Sequence, residues 1–268
     1  MGNRNKRLDK LKTMIKSSIE TAAKEYSKVA GKTFLFIYGE KFVELAFLTD
    51  RFSHLTGIKL YTNAHSFYEN AKNGILSISE YGFDERHKFE NAKKKPLELL
   101  KITSWLSSNS IILEDIHISE KNNYDIGLTN AHSSLLFVPN TDKNKNIIND
   151  WYVPCSLRVK DSCIEKAKES KKVTFIFVKE AKQAEYTTLL ARDNEAFVPD
   201  SVEQLLSKEL FEKYKRNDNK CGDNEDGNTL LIQRPKHMTL EERVEKYGSI
   251  TNAGEYWSDS ECIGREGL

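Results

Sequence analysis

Apolar residues Leu8, Leu11, Ile15, Ile19, Ala22, Ala23 and Tyr26 recur at steps of three and four, with Lys and Glu between them. That spacing predicts an amphipathic helix, stopped at Gly31. The period then changes. Thr33 to Tyr38 and Phe42 to Leu48 are aromatic-rich apolar runs separated by Gly39-Glu40-Lys41, the pattern of a β-hairpin with a glycine turn. Asp50 to Gly57 is too polar to continue the strand and reads as a loop. Asn63 caps a short helix carrying Phe67, Tyr68 and Ala71, closed by Asn73-Gly74. A helix is expected from about Glu85 to Leu106, with Phe89, Leu97, Leu100 and Ile102 inward and a kink or break at Pro96.

From Ser110 onwards the runs shorten to strand length. Ile111 to Ile118, Leu135 to Val138, Trp151 to Val153 and Val173 to Val178 are predicted strands, and Thr187 to Ala191 pairs antiparallel with the last. Asn140 to Asn149 reads as a polar loop, and Ser201 to Lys215 as a second amphipathic helix capped by Ser201. Runs of helices followed by runs of strands predict an α+β fold: N-terminal helices with a central antiparallel sheet, plus an extended C-terminal tail. The expected organisation is one domain over residues 1–215, a turn-rich linker over 216–237, and a tail over 238–268.

Composition narrows the function classes. The 268 residues carry 41 Lys+Arg against 40 Asp+Glu, a formal net charge of +1. A nucleic acid would therefore be held by a local basic face and not by bulk charge. No apolar run approaches the roughly 20 residues of a membrane span, and the basic opening is not followed by the apolar core of a signal peptide. A cytoplasmic protein is expected. Cys155, Cys163, Cys221 and Cys262 show neither C-x-x-C nor zinc-finger spacing, so they read as reduced thiols with no metal or other cofactor.

The chemistry gathers in Asp50 to Tyr68, where Arg51, His54, Thr56, Lys59, Tyr61, His65 and Tyr68 share one short window. Guanidinium and ammonium groups hold phosphate, an imidazole moves a proton near neutral pH, and a threonine donates a hydroxyl hydrogen bond. These are the groups that cleavage of RNA through its own 2′-OH needs without a metal. His54 is the first choice for proton transfer and His65 competes with it. Tyr68 is a candidate stacking surface for an unpaired base. Lys88, Lys93, Lys94, Lys95 and Lys101 form the densest basic cluster, and Ser156 and Arg158 follow Pro154 at a strand end. Each also has an ordinary reading: a turn histidine, a solvated lysine face, a core aromatic.

The segments FLTDRFSHLTGI and SFYENAKNGILS resemble the start of a phage-associated branch of the barnase/EndoU/colicin/RelE-like nuclease superfamily. In that branch a strand leads into F-x-HLTG, then an FY helix and a turn ending in LS. The Lys93–Leu100 helix, the YVPCSL strand end and VTFIFVKE are similar to its later segments, so the likeness spans about residues 30–190. It implies a compact α+β ribonuclease-like fold and toxin-like, metal-independent endoribonuclease activity on RNA. Carried over by position, it favours His54, Thr56, Lys94 or Lys95, and Ser156 with Arg158. Together with the chemistry of the window, the expected catalytic groups are His54, Thr56, Lys94 and Ser156, with Arg51, Lys59, Lys95, Arg158 and Tyr68 on the substrate.

The tail is similar to something else. MTLEERVEKYG and GEYWSDSECIGREG resemble the C-terminal arm of MazE/AbrB-type antitoxins, without its proline and with its tryptophan displaced. The last thirty residues hold seven acids against three bases. The resemblance implies a toxin or antitoxin partner, or an intramolecular contact with the basic face. The alternative to an enzyme is a non-catalytic RNA-binding or toxin–antitoxin interaction protein, and a blander one is a structural protein of a phage particle.

Overall fold

The structure, a computed structural model, describes residues 2–216 apart from Lys121. The expected linker beyond residue 216 and the antitoxin-like tail lie outside the described residues. Helix α1 (Gly2–Tyr26) buries Ile15, Ile19, Ala22, Ala23 and Tyr26 along one stripe, as the three- and four-residue spacing predicts. Strands β1 (Lys32–Tyr38) and β2 (Lys41–Phe47) form the expected hairpin, with Tyr38 level with Lys41 across a Gly39-Glu40 turn. Gly39 has φ +63°, and a two-residue hairpin needs that positive φ to match the strand twist.

The segment read as a loop is instead helical. A 3-10 turn (Thr49–Arg51) runs into helix α2 (Phe52–Thr56), which ends on Gly57 at φ +72°. Local polarity concealed it, because a five-residue helix shows barely one turn of periodicity. Strand β3 (Lys59–Leu60) follows. Helix α3 (Ala64–Lys72) starts where Asn63 Oδ1 accepts the backbone N–H groups of His65 and Ser66, the expected cap. Strand β4 (Tyr81–Gly82) pairs with β3, and helix α4 (Phe89–Leu99) gives way to a 3-10 turn at Ile102–Trp105. The inward face of α4 differs from the expected one. Ala92, Lys95, Pro96 and Leu99 are buried, while Leu97 is 51% exposed.

Strands β5 (Ile111–Ser119), β6 (Asn122–Thr129), β7 (Ser134–Thr141), β8 (Ile147–Arg158), β9 (Ala167–Lys172), β10 (Phe175–Glu180) and β11 (Thr188–Arg192) join β1 and β2 in one sheet. Its order is β11-β10-β1-β2-β8-β7-β6-β5-β9. Every neighbouring pair is antiparallel except β2 with β8. Strands β6 and β9 were not expected. The sequences NNYDIGLT and AKESKK are too polar to announce strands, and they are specified by their neighbours, β5 and β7 for β6 and β5 for β9. Strand β8 is far longer than Trp151–Val153, and it tolerates Pro154 because the β7 register slips there: Ser156 faces Leu136 and Pro154 faces Phe137. The extra residue, Cys155, makes a bulge beside a proline that has no N–H to give.

Only Val173 and Thr174 separate β9 from β10, so the two form one long bent strand. Its first half pairs with β5 and its second half with β1. The bend is pinned where Thr174 N and Oγ1 both donate to Ile37 O, at 2.7 and 2.9 Å. The sheet is thereby curled on itself. Its inner residues, among them Phe34, Phe36, Leu45, Phe47, Leu128 and Phe137, form one core with α1 to α4. Leu35, Ile37, Phe175 and Phe177 face a second core with Tyr186, Val198, Val202, Leu206 and Phe211. The expected helix over Ser201–Lys215 is shorter: a 3-10 turn at Asp200–Val202, then α5 (Lys208–Tyr214) after Ser207. No helix among the described residues is long and apolar enough to cross a membrane.

Candidate active site

Helix α2 is the centre of the candidate site, and its position follows from the one parallel pairing in the sheet. Leu45 on β2 is level with Tyr152 on β8. The chain leaving β2 therefore comes off the sheet beside the second half of β8, and α2 packs against β8, α3 and α4. Phe52 and Leu55 anchor it in the aromatic core, Phe52 lying 5.3 Å from Tyr26 and 5.5 Å from Tyr68 between ring centroids. The two polar residues left at the surface of this turn are Arg51 and His54, both half-buried. They stand three apart, which places them on one helical face.

Arg51 is unusual for a side chain only 16% exposed. Its Nε lies 3.9 Å from Asp50 Oδ1, and it is buried with no hydrogen-bond partner among the described residues. A buried guanidinium with an unspent donor is costly unless something anionic meets it. Next to it, Thr49 Oγ1 and His65 Nδ1 are 3.0 Å apart, so the second histidine of the window is tied to the turn before α2.

Helix α4 closes the other side. A Cβ at Gly57 would lie 2.9 Å from Lys95 Cδ and 3.4 Å from Ala92 N, so the aliphatic stem of Lys95 crosses directly over the end of α2. Lys95 is 3% exposed, whereas Lys93 and Lys94 are exposed. Arg51, His54 and Lys95 are thus placed around α2, and Lys94 stands on the outer face of α4.

The remaining candidates are placed otherwise. Thr56 is fully buried, and its hydroxyl donates to Ser53 O at 2.6 Å inside its own helix. Tyr68 is 2% exposed in the aromatic core, with Lys72 Nζ 5.3 Å from its ring centroid, which leaves no open ring face for a base. Ser156 is 3% exposed. Its neighbour Leu157 belongs to the core shared with Phe52 and Leu55, so strand alternation turns Ser156 to the opposite face of the sheet from α2. Arg158 Nη2 lies 3.2 Å from Asp161 Oδ2, which also accepts from Lys166 Nζ at 2.6 Å. Burial acts to raise the Asp161 pKa, but the Lys166 hydrogen bond, with those of Cys163 and Arg158, takes it down to about 2.

Lys59 leads to a cluster outside the expected site. Its Nζ is 3.1 Å from Asp84 Oδ2. Asp84 Oδ1 accepts the backbone N–H groups of Arg86 and His87, at 3.0 and 2.8 Å, and lies 2.7 Å from His87 Nδ1. Burial works to raise the Asp84 pKa. The His87 side-chain and backbone hydrogen bonds and that of Lys59 prevail and hold it well below the usual carboxylate range. The three-residue Asp84-to-His87 spacing was the available signal, but His87 fell inside the helix expected from Glu85.

A family model described as phage-Barnase-EndoU-ColicinE5/D-RelE like nuclease4 matches residues 18–195, from the second half of α1 to just past β11. No curated protein and no solved structure gave a match.

Proposed function

The chain belongs to the phage-Barnase-EndoU-ColicinE5/D-RelE like nuclease4 family, and on that premise we propose that this nuclease is an endoribonuclease that cleaves through the substrate's own 2′-OH. The observation that carries the reading is the pairing of Arg51 with His54 on one face of α2, beside the stem of Lys95. In this reading the 2′-oxygen attacks the adjacent phosphorus, its proton passes to a base, and the 5′-oxygen leaves with a proton from an acid. His54 performs one of the two proton transfers. The Arg51 guanidinium holds a non-bridging phosphoryl oxygen, and Lys95 adds positive charge as the phosphorane forms. Lys94, on the outer face of α4, meets the RNA backbone further along. Because these cations supply the charge stabilisation, the reaction so drawn has no step that calls for a metal.

The test is incubation of the purified protein with single-stranded RNA in EDTA, with analysis of the product ends. The expected products carry 2′,3′-cyclic phosphate and 5′-hydroxyl ends. His54→Ala is expected to lose about 10²-fold or more in rate, the usual contribution of a positioned acid or base. Full activity in His54→Ala, or cleavage of DNA and RNA alike, overturns the reading.

A further inference from the structure

Transesterification needs two proton-transfer groups, and α2 offers one. The other elements of the turn preceding α4 are already satisfied without the His87 ring. Asp84 N donates to His87 O at 3.2 Å, and Asp84 Oδ1 accepts both the Arg86 and His87 amides. The ring contact is additional. Asp84 also faces the Lys59 ammonium, and an ionised carboxylate only accepts hydrogen bonds, so Nδ1 of His87 carries the hydrogen directed at it. Nε2 is then the basic nitrogen. His87 is 7% exposed, yet among the described residues Nε2 has no hydrogen-bond partner. A carboxylate fixing one imidazole nitrogen while the other stays available is the arrangement that orients a proton-transfer histidine.

The position also fits. His87 lies two residues before α4. Four and five residues beyond it, Asn91 C and Ala92 N come within 3.5 and 3.4 Å of where a Gly57 Cβ would be. Lys59, two residues past Gly57, reaches back to Asp84. The segment 57–59 is therefore flanked by the segment 84–95, and His54 stands one helical turn before Gly57.

We propose that His87 is the second catalytic residue of the same site, with Asp84 as its positioning residue. This inference rests on the endoribonuclease reading. His87 Nε2 takes the proton of the 2′-OH as the O2′–P bond forms. His54, entering protonated, gives its proton to O5′ as the P–O5′ bond breaks. Each histidine returns to its starting state by exchange with water.

The experiment follows kcat and kcat/KM against pH on a short single-stranded oligoribonucleotide, for the full chain and for H87Q, D84N and H54A. H87Q is expected to lower kcat by about 10²–10⁴-fold and to abolish the acidic limb of the profile, the limb that reports a base. D84N is expected to lower kcat less than H87Q does while leaving KM unchanged, the split that marks a residue acting through another and not on the bound substrate. If the wild type cleaves and H54A does not, while H87Q keeps kcat within about twofold and both limbs intact, this proposal falls and the endoribonuclease reading stands. A wild type that leaves RNA intact overturns both. Should H87Q fail to fold, the ring-nitrogen resonances of wild-type His87 are followed as the 2′-deoxy form of the oligonucleotide is added. A perturbed Nε2 supports the assignment and an unperturbed one overturns it.

Discussion

Lys95 crosses Gly57 so closely that the Cβ of any other residue at position 57 would lie 2.9 Å from Lys95 Cδ. Gly57 also ends α2 at φ +72°, a region that costs residues with a Cβ about 1–2 kcal/mol. One residue thus lets α2 stop and lets α4 close over it. Gly57→Ala is expected to destabilise the fold by about 2–4 kcal/mol, the backbone cost added to overpacking. Chemical denaturation of the wild type and the variant measures it, and an unchanged midpoint refutes the close contact.

The second core, the one that holds Tyr186, is pinned by a buried polar cluster. Tyr186 Oη donates to Glu44 Oε1 at 2.6 Å, Lys179 Nζ lies 3.6 Å from the same oxygen, and Lys179 sits 4.3 Å from the centroid of the Tyr186 ring. Burial, then the Glu44 charge, pushes the Tyr186 hydroxyl far above its ordinary range. Glu44→Gln leaves Lys179 buried without its countercharge and is expected to cost about 3–5 kcal/mol. Tyr186→Phe removes one hydrogen bond and is expected to cost about 1–3 kcal/mol. Urea denaturation curves should rank them in that order.

Asp161 gives a defined acid sensitivity. Its folded pKa, about 2, is below the ordinary 3.8. A depressed carboxylate stabilises the fold fully above its unfolded pKa and loses that contribution as pH falls through the folded one. The wild type is therefore expected to melt above Asp161→Asn at pH 6, with the gap narrowing as pH falls from 4 to 2. A gap that stays constant across that window contradicts the Lys166 and Arg158 contacts.

The thiol of Cys163 should be inert in the native protein. Burial first, and then the nearby Asp161 charge, pushes it up to about 11, and the thiolate is the reactive form. Alkylation at pH 8 followed by peptide mapping is expected to modify Cys163 only after denaturation. Rapid native labelling at that residue overturns the placement.

Much of the fold was legible in the chain. The stripe of α1, the β1–β2 hairpin, the Asn63 cap and the β10–β11 pairing each follow from contacts between residues near in sequence, where periodicity, turn chemistry and capping act directly. The resemblance carried by HLTG and FY pointed to the nuclease family to which the chain belongs. Strands β6 and β9 escaped because their residues are polar and only a neighbouring strand orders them. The face of α4 was misread because Lys95 buries an aliphatic stem where a leucine was expected.

For the site, the sequence by itself determined which chemistry is within reach: cations and imidazoles gathered between Asp50 and Lys95 on a nuclease-family chain. Only the tertiary structure decided which of them lie together. The parallel register of β2 against β8 carries α2 to its place, strand alternation turns Ser156 away from it, and the aromatic core takes Tyr68. Closure of the segment 84–95 over Gly57 brings Asp84 and His87 beside Lys59. Such groupings depend on pairings between residues distant along the chain, and no local pattern of hydrophobic and polar positions encodes them.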